Sequence, residues 1–145
     1  MSLSIKKTDL IFSKLVRERS DYFCEYCNLE FRHDPGQLHC SHLHGRRHLV
    51  IRWFPWNAFS HCQKCHRYLE THPALFKVWA EKKLGRTSFE LLNYVAHSAE
   101  KVVTQEKVES LHVHFLAEMR RLENERAQGA KGRIEFWFAE WGTQQ

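Results

Sequence analysis

Two Cys-x2-Cys pairs, Cys24/Cys27 and Cys62/Cys65, constrain this chain more than any other feature. Two such pairs supply the four thiolates of one closed, tetrahedral zinc site. Bound in this way, they bring the segments around residues 24 and 62 together. The metal then stands in for a core that so short a segment cannot build alone. A four-thiolate shell leaves no open coordination position, so the zinc is structural and any chemistry must come from other residues. The fifth cysteine, Cys40, reads as a buried small side chain rather than a ligand.

The rest of the composition fits a metal site of this kind. The chain has 145 residues, enough for a single domain spanning 1–145. Hydrophobic residues make up 43% and charged residues 27%, the balance of a globular protein. No 18-residue apolar run is present, so no membrane span is expected. Met1 to Lys7 is polar and basic with no apolar stretch behind it, which predicts no secretory signal and a cytoplasmic location. In a reducing compartment paired Cys-x2-Cys motifs read as metal ligands, not disulfides. The formal charge of +5 and pI near 9.0 suit a polyanionic partner.

The pattern predicts a helix over 8–20, capped by Thr8, with Leu10, Ile11 and Leu15 inward. Residues 21–70, rich in Cys, His and aromatics, form the functional module. Pro35-Gly36 marks a turn between two short strands. A short helix starts at the second cysteine pair and runs to about Glu70. Pro73 opens another, with Leu75, Phe76, Trp79 and Leu84 as its apolar face and Gly85 as its C-cap. Thr87-x-x-Glu90 reads as a capping box opening a helix to about His97. A long helix over 105–128 carries Val108, Leu111, Phe115, Met119 and Leu122 at helical spacing. Core packing is favoured over a dimer seam for that stripe. Residues 71–128 thus form a helical extension. The tail, 129–145, alternates Ile134, Phe136 and Phe138 beside Trp137 and Trp141, as a short strand or an aromatic strap.

Between and after the cysteine pairs lie His42, Asn57 and His66. The first two are 15 residues apart and the last two nine apart. A neutral imidazole at His42 can take a proton from water attacking phosphorus. The Asn57 amide can pin the loop or orient that base. His66, on the predicted helix, can hold a divalent cation that stabilises charge on phosphorus and the leaving oxygen. Glu70, one turn further on the same face, is either a second ligand or a solvated carboxylate. Ser41 occupies the position before the base where a ligand would be useful, and His39 is the substitute. Strand alternation puts His39 and His42 on opposite faces, so that substitution calls for a bend or bulge. His112 and His114 cannot share a helix face, and His61 is placed to touch phosphate. The run His44-Gly45-Arg46-Arg47-His48 can grip phosphates, or is an ordinary exposed loop. Arg52 and Arg67 extend the charge. Trp53, Phe54 and Trp56 read as core in preference to a platform for unpaired bases.

The order His42…Asn57…His66, with paired Cys-x2-Cys, resembles the HNH (ββα-metal) endonuclease superfamily. Asn57-x4-Cys62-x2-Cys65-His66 carries the second half of that motif. Within it the chain is most similar to the phage NinG/Rap recombination nucleases. A helix precedes the first pair, His39-Cys-Ser-His42 is like His/Asp-x-Gly-His, and Arg52-Trp53 precedes Asn57 as an Arg-Phe pair does there. Ser41 stands where that family has Gly, and His66 where many members carry Asn. The resemblance spans about residues 8–125. It implies an α+β fold: a small zinc-knuckle ββα-metal core with an N-terminal helix and a C-terminal helical extension. It also implies a metal-dependent DNA endonuclease that acts on branched or recombining DNA in a phage or prophage setting. The cofactors implied are structural Zn²⁺ and a catalytic Mg²⁺ or Mn²⁺ held by His66; His39 and Glu70 are the further ligand candidates that position and spacing offer. The DNA would be branched or single-stranded, and a homodimer would suit cutting both strands. The competing expectation is a zinc-scaffolded DNA-binding module without hydrolysis.

Overall fold

The computed structural model describes residues 2–98 and 102–138. Among them the chain is α+β, with five α-helices and one two-stranded antiparallel sheet. Among the described residues no helix is long and apolar enough to cross a membrane.

Helix α1 spans Ser2–Arg19 and starts well before the expected Thr8 boundary. Thr8 lies inside it, buried, and its hydroxyl donates to the Ser4 carbonyl at 2.6 Å instead of capping an end. The buried stripe is Thr8, Ile11, Phe12, Leu15, Val16 and Arg19, spaced by three and four. Leu10, expected inward, falls off that stripe and is exposed. Helix α5, Gln105–Ala127, lies against α1, and Val108, Leu111, Phe115 and Leu122 enter the shared core. The expected stripe is therefore core, and its partner is the N-terminal helix. Thr104 caps α5 by accepting from the Lys107 N–H at 3.2 Å.

Strand β1, Leu38–His42, pairs with β2, Ala58–Cys62, one residue to one and without a bulge, from Leu38↔Cys62 to His42↔Ala58. The strands are joined by 43–57, which carries two short 3₁₀ turns. Pro35-Gly36 does not connect them. It starts a 3₁₀ turn that leads into β1, and upstream there is only the bridge Phe23↔Glu30.

Cys62 leads directly into α2, Gln63–Thr71, followed by α3, Pro73–Leu84, and α4, Arg86–Ala96. Phe59 of β2, Leu69 of α2, and Phe76 and Ala80 of α3 form a second core. Gly85 ends α3 at φ 85°, where its N–H bonds the Glu81 carbonyl. That same glycine begins α4, so Thr87 sits within the first turn and the expected capping box does not form. Glu90 instead pairs with Arg86 at 3.0 Å.

After α5 the described tail runs extended over the body, as a strap with no strand assigned. Ile134 N–H bonds the Arg19 carbonyl at 3.0 Å, and Phe136 is buried against Phe12 and Phe115. Trp141 lies outside the described residues.

Candidate functional site

The first cysteine pair sits on a tight knuckle. Asn28 turns the chain at φ 63°, and its N–H bonds the Cys24 carbonyl at 2.8 Å. Glu25 fastens the knuckle to β2. Its N–H donates to the Ser60 carbonyl, and its carboxylate accepts the Ser60 N–H at 2.7 Å. Cys62 and Cys65 arrive from the end of β2 and the first turn of α2. The four Sγ atoms lie within 4.8 Å of one another and could hold a metal ion such as zinc. Cys27 and Cys62 are 4.0 Å apart, against about 3.8 Å for sulfurs on a tetrahedral zinc. Burial raises the Cys24 thiol, but N–H groups of Cys27, Cys62 and Tyr26 outweigh it and hold the pKa below its ordinary value. Burial and the neighbouring sulfurs push Cys65 up. Four thiols this close cannot all ionise without a cation between them. Cys40 stands apart, packed on the α1/α5 core, and burial pushes its thiol up to about 12.

Directly opposite residues of an antiparallel pair share a face, and faces alternate along each strand. His39 and Ser41 therefore share a face with His61 and Phe59, toward α2 and α3. Cys40 and His42 share the other with Ser60 and Ala58, toward α1. On the first face His39 meets His66 of α2, Nδ1 to Nδ1 at 3.0 Å with ring centroids 5.2 Å apart. Two nitrogens at that distance cannot both carry protons. They share one, or both lone pairs bind one cation. Ligands about 2.1 Å from a metal at right angles lie about 3.0 Å apart, so the pair fits adjacent positions of an octahedral ion. Burial and then His39 lower the basicity of His66, opposed by Glu70, which is exposed one turn further along α2. Ser41 is 1% exposed and its hydroxyl has no hydrogen-bond partner, so it lies beneath this face.

His42 lies on the other face. Its ring centroid is 6.1 Å from that of Phe12, and its Nε2 donates to the Arg52 carbonyl at 2.8 Å. A carbonyl only accepts, so Nε2 carries the proton and Nδ1 the lone pair. Burial is the main cause that drops its pKa to about 4. The Arg52 carbonyl opposes this and Arg46 adds to it. His42 is thus neutral at pH 7, as a general base requires. The unbulged register separates it from His39 and His66. The Arg46 guanidinium, expected only as a phosphate contact, acts electrostatically on both His42 and His66.

Asn57 is fully buried at the loop base. Its Oδ1 accepts the His44 N–H at 2.8 Å, and its Nδ2 donates to the carbonyls of His44 and Ile51 at 2.9 and 3.1 Å. It pins both ends of the loop and makes no recorded bond to His42.

Of the expected phosphate-binding arginines, Arg46, Arg47 and Arg67 are exposed. Arg52 is engaged elsewhere. It grips Asp9 of α1 with two bonds, at 3.0 and 2.6 Å, and donates to the Arg46 carbonyl. Trp53 Nε1 joins the same carboxylate at 2.8 Å, and its ring is fully buried. Nothing in the α1 sequence marked Asp9 as this anchor. His61, expected near phosphate, is fully buried among Phe59, Phe76 and Trp79, with neither ring nitrogen hydrogen-bonded. His114 Nε2 donates to the Trp137 carbonyl at 3.0 Å, which leaves His112 outside that bond.

Comparison with known proteins returned no match: no family model fits the chain, and no curated protein or solved structure is significantly similar to it.

Proposed function

We propose that this chain is a metal-dependent DNA endonuclease of the HNH type that hydrolyses phosphodiester bonds. The observation that carries the reading is the His39–His66 pair, two imidazole nitrogens 3.0 Å apart beside the four-cysteine cluster. When bound there, a divalent cation supplies Lewis-acid stabilisation of charge on phosphorus and on the leaving oxygen. Two nitrogen ligands favour Mn²⁺ or Zn²⁺ over Mg²⁺. Glu70, one turn along α2 and acting electrostatically on His66, is the candidate carboxylate ligand. Arg46, felt electrostatically by both histidine sites, positions the phosphate. His42, neutral and held by the Arg52 carbonyl, accepts the proton of the attacking water at Nδ1. Asn57 keeps the loop that carries Arg46 and Arg47 in place. Branched DNA is the substrate that the resemblance to NinG/Rap proteins suggests.

The placement of His42 on the opposite sheet face favours a second reading, a DNA-binding module scaffolded by zinc and without hydrolysis. Cleavage of supercoiled plasmid and of a four-way junction separates the two. Zinc-loaded wild type, His66→Ala and His42→Ala are compared with Mn²⁺, Mg²⁺ or EDTA. The nuclease reading expects cation-dependent cutting that both variants lose by at least a hundredfold. Cutting retained by His66→Ala overturns the metal role, and cutting retained by His42→Ala overturns the base. DNA binding by folded wild type with no cutting of either substrate establishes the second reading.

A further inference from the structure

Three histidines outside that site cluster together, and two of them, His44 and His97, bond one asparagine. His44 follows β1, His48 lies four residues further along the same loop, and His97 sits just past the C-terminus of α4. The ring centroids of His48 and His97 stand 5.7 and 6.0 Å from that of His44, at interplanar angles of 75° and 90°. Asn93 of α4 fixes two of the three tautomers. Its Oδ1 accepts from His44 Nε2 at 2.8 Å, and its main-chain carbonyl accepts from His97 Nδ1 at 2.7 Å. Both acceptors are carbonyl oxygens, so those nitrogens carry the protons and the lone pairs lie on His44 Nδ1 and His97 Nε2. His48 Nε2 accepts only a long bond, 3.4 Å, from its exposed neighbour Arg47.

One ring nitrogen tied to a carbonyl and the other left as a free donor is how metal-ligating histidines are held. We propose that His44, His48 and His97 form a second metal site, for a borderline transition-metal dication of the Zn²⁺, Co²⁺ or Ni²⁺ class, with Asn93 orienting His44 and His97. Tetrahedral coordination by imidazole puts ring centroids about 5.2 Å apart, so the two separations must close by roughly 0.5 and 0.8 Å. Among the described residues only the four cysteines have all their donor atoms within 4.8 Å already. The histidine trio is therefore splayed, and the cation draws it together. His44 is the fixed member, because Asn57 holds both its N–H and its carbonyl. His48, on the loop, and His97, past the helix end, are the members that move. Closure ties the loop carrying Arg46 and Arg47 to α4.

This site is independent of the nuclease reading and is tested without an activity assay. Zinc-loaded full-length protein with His39→Ala, which removes the other imidazole pair, is titrated with Co²⁺ by calorimetry. One Co²⁺ per chain beyond the cysteine-bound zinc is expected, with micromolar affinity. His97→Gln or His48→Gln, both near the surface, weakens it at least tenfold, whereas the exposed His33→Gln does not. In proton NMR spectra Co²⁺ selectively broadens the ring signals of His44, His48 and His97. Failure to bind Co²⁺ more tightly than millimolar, affinity unchanged in His97→Gln, or broadening confined to other histidines overturns the proposal.

Discussion

Replacement of Asn57 by Ala removes a buried side-chain anchor at the base of the loop. Three hydrogen bonds go with it: one accepted from His44 N–H, and two donated to the carbonyls of His44 and Ile51. Asn57 is fully buried, so water does not freely replace the lost carboxamide. At about 1–1.5 kcal/mol for each buried bond left unmade, the loss is about 3–4 kcal/mol. With an unfolding entropy of about 2.1 cal/mol/K per residue, that lowers Tm by about 10 °C. Asn57→Asp sharpens the test. It keeps the acceptor for His44 N–H but points an oxygen at two carbonyls. Its cost relative to wild type should exceed that of Ala at pH 7, and shrink as the pH falls and the new carboxyl gains a proton. Thermal unfolding measures the first effect, and hydrogen exchange at the His44 amide localises it. A Tm within about 3 °C of wild type, or an equally protected His44 amide in Asn57→Ala, refutes the anchoring argument.

The folded pKa of His42, about 4, lies below its ordinary 6.5. Its contribution is therefore complete above pH 6.5 and is lost as the pH falls toward 4, by at most about 3 kcal/mol. Denaturant midpoints across that window should fall for wild type and flatten for His42→Gln, while equal slopes contradict the burial. Metal analysis should find one zinc per chain, absent from Cys62→Ser, which should also lose several kcal/mol because metal binding is coupled to folding. A stable, zinc-free wild type would remove the four-thiolate role. Arg52→Ala should destabilise the fold by about 1.5–3 kcal/mol through loss of its charged bonds to Asp9, and leave the salt dependence of the proposed DNA binding unchanged. Arg46→Ala should leave Tm unchanged and lower the salt slope by about one. The opposite pattern would reverse the two assignments.

Elements set by local chemistry were legible in the chain. The short helix after Cys62, Pro73 at the head of α3, Gly85 at its end and the stripe of α5 all follow from caps and periods that act within a few residues. Misreadings occurred where a distant partner overrode a local cue. Thr8 resembles a cap but is carried into α1. Pro35-Gly36 resembles a hairpin turn, yet β1 finds its partner beyond a long loop. Arg52, read from the chain as part of the positive charge, is ion-paired with Asp9, 43 residues away in sequence.

The cysteine quartet was readable from the chain alone, because ligand spacing is a property of a few consecutive residues and two such pairs have one geometry in common. So was the facing apart of His39 and His42, because strand alternation leaves no choice without a bulge. Which rings meet depends on long-range packing. Register and helix docking put His39 against His66, His42 against Phe12 and His44 beside His97, across separations in the chain over which no local preference acts.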